Sequence, residues 1–194
     1  MNKPHAAPVV AAIAAPAIAD GVADRVADGV AAARVRHAPS GDQAAQAVTS
    51  SAPEHAQALA EAVGAAMFAR DAASQGLGMT LDAIAPGYAR MSMPVRADML
   101  NGHQTCHGGF IFALADSAFA FACNSHNHVT VGAGCTIDYL SPGRPGDVLI
   151  AVAAEHALAG KTGIYDVKVC DQGGRIVALF RGKSHRVSGL VVPM

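Results

Sequence analysis

"NGHQTCHGGFIFALADSAFAFACNSHN", residues 101–127, decides how this chain folds. From Phe110 to Cys123 the run is apolar on every side apart from the Asp116–Ser117 pair. A helix of that kind must be enclosed, by a curved sheet or by a partner chain. Gly108 and Gly109 stand at its start. Small residues there leave backbone N–H groups accessible, and the first four N–H groups of a helix have no internal acceptor. With the positive end of the helix dipole they make an anion or oxyanion site. Asp116 is the single acidic residue of the stretch. An ionised carboxylate is costly to bury without a partner, so it is either hydrogen-bonded for structural reasons or functional. Eight residues separate Gly108 from Asp116. At the α-helical rise they stand ~12 Å apart along the axis, too far for one small reacting group to touch both. Two antiparallel copies of the helix across a two-fold axis would bring Gly108 of one chain towards Asp116 of the other.

The flanking sequence supplies the sheet. "PEHAQALAEAVGAAMFARDAASQG", residues 53–76, reads as one helix, with Leu59, Val63 and Met67 at every fourth position and Gly76 as its stop. "MTLDAIA" and "YARMSMPV" read as strands split by the turn dipeptide Pro86-Gly87. In the second, Ala89, Met91, Met93 and Val95 share the buried face. After the central helix, "HVTVGAGCTIDYL" alternates Val129, Val131, Ala133, Cys135, Ile137 and Tyr139 against the polar set from His128 to Asp138. Three more strands follow, "VLIAVAAEHAL", "TGIYDVKVC" and "RIVALFRGKSHRV", the last two joined by the hairpin signal "DQGG". The order predicts an α+β fold with a mostly antiparallel sheet around one long helix.

Residues 1–53 differ in character: rich in Ala, Val, Pro and Asp, without an aromatic residue, they read as a poorly ordered tail. The repeat "ADGVADRVADGV" spaces Val22, Val26 and Val30 for a weak helix that Gly21 and Gly29 oppose. Lys3 ahead of an apolar run resembles a signal peptide, but three prolines and weak hydrophobicity argue against one. The compact domain is expected over 54–188, with a C-terminal tail over 189–194. Cys106, Cys123, Cys135 and Cys170 form no C-x-x-C pair, which disfavours zinc ribbons and thioredoxin-type sites. They read as reduced thiols of a cytoplasmic protein. No apolar run is long enough to span a membrane. The net charge of −1 argues against a general nucleic-acid binder. His103 and His107 have the spacing of a helical zinc pair, yet Gly102, Gly108 and Gly109 make that segment a loop, so no metal site is expected.

"MLNGHQTCHGGFIFALADSAFAFACNS", with "CTIDYLSPGRPGD", "GKTGIYDVKV" and "VALFRGKSHRV", closely resembles the PaaI-type acyl-CoA thioesterases of the hotdog fold, from phenylacetic acid degradation. The resemblance spans roughly residues 55–188. It implies a long helix wrapped by an antiparallel sheet, paired into dimers and into tetramers as dimers of dimers. It also implies that the Gly108 amide polarises the thioester carbonyl and that Asp116 of the other subunit acts as nucleophile or general base. Asn101 and His107 would line the same pocket, beside Gly109. The chemistry fits: acyl transfer builds negative charge on the carbonyl oxygen, which preorganised N–H groups favour. A carboxylate in an apolar site can attack the carbonyl or activate water.

Arg181, Lys183 and His185 alternate along the last strand, together with Val177 and Leu179, and make a basic column suited to the phosphates of coenzyme A; a solvated edge face would look the same. Lys161 in the preceding loop joins them, and Thr136 is expected along the acyl or pantetheine channel. The expected activity is hydrolysis of an aryl- or hydroxyphenylacetyl-CoA to acid and CoA, with no cofactor, since coenzyme A is part of the substrate. Two alternatives remain at this point: a hotdog hydroxyacyl-thioester dehydratase, and a non-catalytic acyl-CoA-binding module.

Overall fold

The computed structural model describes residues 51–193. Helix α1, Ala52–Phe68, starts where Glu54 turns its carboxylate back onto the Ser51 N–H at 2.7 Å. The single helix expected over 53–76 is two. After Ala69 the chain breaks, and a one-turn helix α2, Ala72–Gly76, begins afresh because the Asp71 carboxylate accepts the Ser74 N–H at 3.0 Å. The tail expected over 1–53 lies outside the described residues up to position 50, and its last residues, from Ala52, already belong to α1.

Six strands follow: β1 Thr80–Ala85, β2 Tyr88–Pro94, β3 His128–Tyr139, β4 Val148–Ala159, β5 Thr162–Cys170 and β6 Ile176–Leu190. They form one sheet in the order β1-β2-β4-β5-β6-β3, and every neighbouring pair is antiparallel. Strand β6 runs two residues beyond the expected domain end at 188, because Leu190 still pairs with His128. Buried Asn127 then holds the chain beyond it, accepting the N–H groups of Val191 and Val192 on its side-chain oxygen.

The central helix α3, Gly108–Asn124, lies on one face of this sheet. Ile111, Leu114, Ala115, Ala118, Phe119 and Ala122 are buried against the inward side chains of β2, β4, β5 and β6, among them Met91, Leu149, Tyr165 and Phe180. Burying a side chain such as Leu114 or Phe119 stabilises the fold by about 1.5–3 kcal/mol. The sheet encloses only part of the helix. Phe112, Ala113 and Ala120 are half-buried and Asp116 is exposed, so an apolar helix face stays open.

That open face borders β3, which is an edge strand. Its residues from Val131 to Thr136 are exposed, Val131 at 48% and Tyr139 at 50%. The expected alternation along β3 does not hold through the strand. A bulge shifts the register between Gly132 and Gly134, and inserting one residue reverses the faces beyond it. Gly132 therefore faces Phe119 of the helix, Val131 pairs with outward His185, and after the bulge Cys135 lies opposite inward Gly182. Val177, expected beside Arg181, is fully buried, because a further irregularity at Val169–Cys170 changes its side.

Candidate active site

The start of α3 is built by three contacts. His107 is the cap residue, and its Nδ1 accepts the Gly109 N–H at 3.0 Å. The Gly109 amide, expected to meet substrate, is therefore taken by the protein. The Gly108 N–H has no acceptor among the described residues. Tyr139, at the end of β3, lays its ring over Gly108 and donates its hydroxyl to the Gly108 carbonyl at 3.0 Å. A Cβ on residue 108 would stand 3.2 Å from Tyr139 Cζ, so glycine is needed here for close approach. These groups open onto a depression of about 330 Å3, walled by Cys106, Gly108, Ile111, Tyr139, Leu140 and Pro142.

Asn101 shapes the loop that approaches the helix start. Its side-chain oxygen accepts the N–H groups of His103 and Thr105 at 2.9 and 3.3 Å and the Thr105 hydroxyl at 3.2 Å, which folds the loop leading to His107. The far wall of the depression is held from behind by Arg175, a residue the sequence reading passed over. Its guanidinium donates to the Pro142 carbonyl at 2.9 Å and pairs with Asp171 at 2.9 Å and Asp147 at 3.3 Å. In return, the Arg175 and Gly173 N–H groups and the Arg175 charge hold the Asp171 carboxyl below the usual carboxylate range.

Asp116 sits elsewhere on the helix, in a second depression of about 340 Å3 shared with Phe119, Cys123, Thr130, Gly132 and Cys135. It makes no hydrogen bond or ion pair among the described residues, which removes the structural explanation of a satisfied core aspartate. The expectation of a buried carboxylate is corrected as well: Asp116 is exposed, on the side of the helix that the sheet leaves open. Its inner flank is apolar, and this partial removal from water raises its pKa above the ordinary 3.8. Deeper in, burial pushes the Cys123 thiol up to about 12, so that sulfur stays protonated and inert.

The basic column divides. Arg181 is held by Asp166 through two bonds of 2.6 and 2.7 Å, on the sheet face away from α3, with His156 on the same carboxylate at 3.4 Å. The pair lies at the surface, where the Arg181 side chain stays 56% exposed. Lys183 and His185 are exposed and form no ion pair among the described residues. Lys161, in the turn between β4 and β5, is beside them, since its carbonyl accepts the Arg186 N–H at 2.7 Å. Thr136 pairs with Arg181 and lines the same outer surface as Asp166, so it lies on the face away from Asp116.

A long helix packed into a curved, wholly antiparallel sheet is the arrangement of the hotdog-fold thioesterases. Comparison with known proteins agrees. The thioesterase superfamily model matches residues 103–178. The acyl-coenzyme A thioesterase PaaI of Escherichia coli is 48% identical over 126 residues, which are 65% of this chain and 90% of that protein. The structure of the E. coli PaaI protein from the phenylacetic acid degradation operon superposes with a TM-score of 0.68 at 46% identity, covering 69% of this chain and 97% of that one. A structure of the phenylacetic acid degradation protein PaaI from Thermus thermophilus gives 0.57 at 42% identity, covering 59% of this chain and 97% of that one. The chain belongs to the PaaI-type thioesterases, and it is an acyl-CoA thioesterase.

Proposed function

We propose that the enzyme hydrolyses aryl- or hydroxyphenylacetyl-CoA at a site shared by two copies of the chain, within a dimer or a dimer of dimers. Asp116 of one subunit meets the carbonyl carbon, as nucleophile or as base on water. The Gly108 N–H of the partner subunit receives the carbonyl oxygen. The observation that carries this reading is the pairing of two unmet needs on one helix. A carboxylate without a partner and an amide without an acceptor among the described residues stand in separate depressions, ~12 Å apart along the axis. A second helix laid antiparallel on the open face beside edge strand β3 brings each to the other, and it covers the half-buried Phe112, Ala113 and Ala120.

As the carboxylate or the activated water adds to the thioester carbon, charge grows on the carbonyl oxygen, and a fixed N–H at a helix start favours that charge over the neutral ground state; breaking the C–S bond then returns the charge and releases the thiol of coenzyme A. Lys161, Lys183 and His185, unpaired among the described residues, supply basic groups for the phosphates of coenzyme A. Arg181 joins that set only by exchanging its surface pair with Asp166 for a phosphate. The acyl class rests on the likeness to the two PaaI proteins from phenylacetic acid degradation. The dehydratase and the binding module give way to this reading because the likeness is to an acyl-coenzyme A thioesterase, at 48% identity, and to the thioesterase superfamily.

The test is release of free thiol from phenylacetyl-CoA on mixing with enzyme. Binding without thiol release would leave the acyl-CoA-binding module. The pH dependence gives a second expectation. Asp116 acts only when ionised, and burial against Phe119 and Cys123 raises its pKa. The rate is therefore expected to fall with acidification at a pH above the ordinary carboxylate value of 3.8. A log(kcat/KM) profile of slope one on the acid side checks this, and a flat profile down to that value contradicts it.

A further inference from the structure

We infer that the depression beside Asp116 is the acyl subsite, and that Gly132 sets its capacity for an aryl group. This rests on the assignment of Asp116 to the reaction. A thioester carbonyl carbon placed at Asp116 needs room for its acyl group immediately next to the carboxylate, and this depression begins there. Its volume of about 340 Å3 falls at the small end of ligand pockets, roughly 300–1,000 Å3, the size for one compact group.

The chemistry of the walls suits an apolar acyl group. The Thr130 N–H and carbonyl are both taken by the Asn124 side chain at 2.9 Å. The Thr130 hydroxyl donates to the His128 carbonyl at 2.9 Å. Thr130 thus meets much of its own hydrogen-bonding need within the protein, and the ring edge of Phe119 and the methyl carbon of Ala120 give an incoming aromatic ring an apolar surface to pack on. Beyond Asp116 and Thr130, the walls are Phe119, Ala120, Cys123, Gly132, Gly134 and Cys135.

Phe119 presents a fixed edge to this space. Its ring packs against Tyr165 at 5.6 Å and Phe180 at 5.8 Å between centroids. On its other side a Cβ on Gly182 would stand 2.8 Å from Cε2, so the ring keeps its place only because residue 182 is glycine. The edge atom Cε1 points at Gly132, where an added Cβ would lie 3.5 Å away, an ordinary contact with nothing else near. Within its own chain a side chain at 132 therefore meets no clash and enters the depression, where it displaces a ring that would otherwise meet the Phe119 edge.

The experiment compares phenylacetyl-CoA with propionyl-CoA in wild type, Gly132→Ala, Gly132→Val and Asp116→Asn. Gly132→Val is expected to lower kcat/KM for phenylacetyl-CoA about 10- to 100-fold more than for propionyl-CoA, with a smaller shift of the same sign in Gly132→Ala. Equal losses on both substrates in Gly132→Ala would place the coenzyme A arm, not the acyl group, in this depression and overturn the inference. An unchanged ratio in both Gly132 variants overturns it too. If the ratio holds while Asp116→Asn is inactive, the acyl assignment alone fails. If Asp116→Asn turns over normally, the reading beneath it fails.

Discussion

Asp116→Asn is expected to lower kcat/KM for phenylacetyl-CoA by about 10²–10⁴-fold while the protein stays folded. The size follows from the role, because an amide can neither attack the carbonyl nor take a proton from water. The intact fold follows from the structure, because Asp116 holds no hydrogen bond or ion pair among the described residues that the change could break. Linkage gives the sign of the stability effect. The folded-state pKa is raised, so ionised Asp116 costs the folded state more than the unfolded chain. That cost is fully present above the folded pKa and vanishes as pH falls below the ordinary value. At neutral pH the Asn variant is therefore expected to melt no lower than wild type. Thiol-release kinetics beside a thermal melt read both. Near wild-type turnover in a protein with an unchanged melt would remove Asp116 from the reaction.

Gly108→Val is expected to cost about 10²–10³-fold, with kcat falling more than KM rises. The new Cβ would stand 3.2 Å from Tyr139 Cζ and 3.3 Å from its hydroxyl oxygen, while that hydroxyl is bonded to the Gly108 carbonyl. Either Tyr139 swings away or the helix start moves, and both displace the amide that receives the carbonyl oxygen. Tyr139→Phe separates the two causes. It removes the 3.0 Å hydrogen bond and keeps the ring, so its loss is expected to be much smaller. Equal losses in the two variants would mean that the hydrogen bond, not the position of the amide, carries the effect.

Much of this architecture can be read from periodicity. The all-apolar run of α3, the alternation of β2 and the turn pairs at Pro86-Gly87 and after Cys170 each specify their element locally. The misreadings have physical causes. Leu59, Val63 and Met67 keep helical spacing up to the break, and only the Asp71 carboxylate on the Ser74 N–H reveals a second start. In β3 the two glycines were the available signal of a bulge, and the bulge decides which residues meet Asp116. Hydrophobic pattern shows that α3 is apolar all round, but not which side a one-chain sheet leaves open. Arg181 is claimed by Asp166 from the neighbouring strand, and Arg175 grips Pro142 from a distant loop. Contacts of that kind depend on register, which spacing along the chain does not supply.

The shared site is the central claim, and subunit exchange between two inactive variants tests it directly. Asp116→Asn chains keep a sound Gly108, and Gly108→Val chains keep a sound Asp116. A heterodimer of the two rebuilds one of its two sites, so random exchange of equal amounts is expected to restore about one quarter of wild-type activity. Heterodimers that form but hydrolyse phenylacetyl-CoA no faster than the separate variants would contradict a site built from two chains.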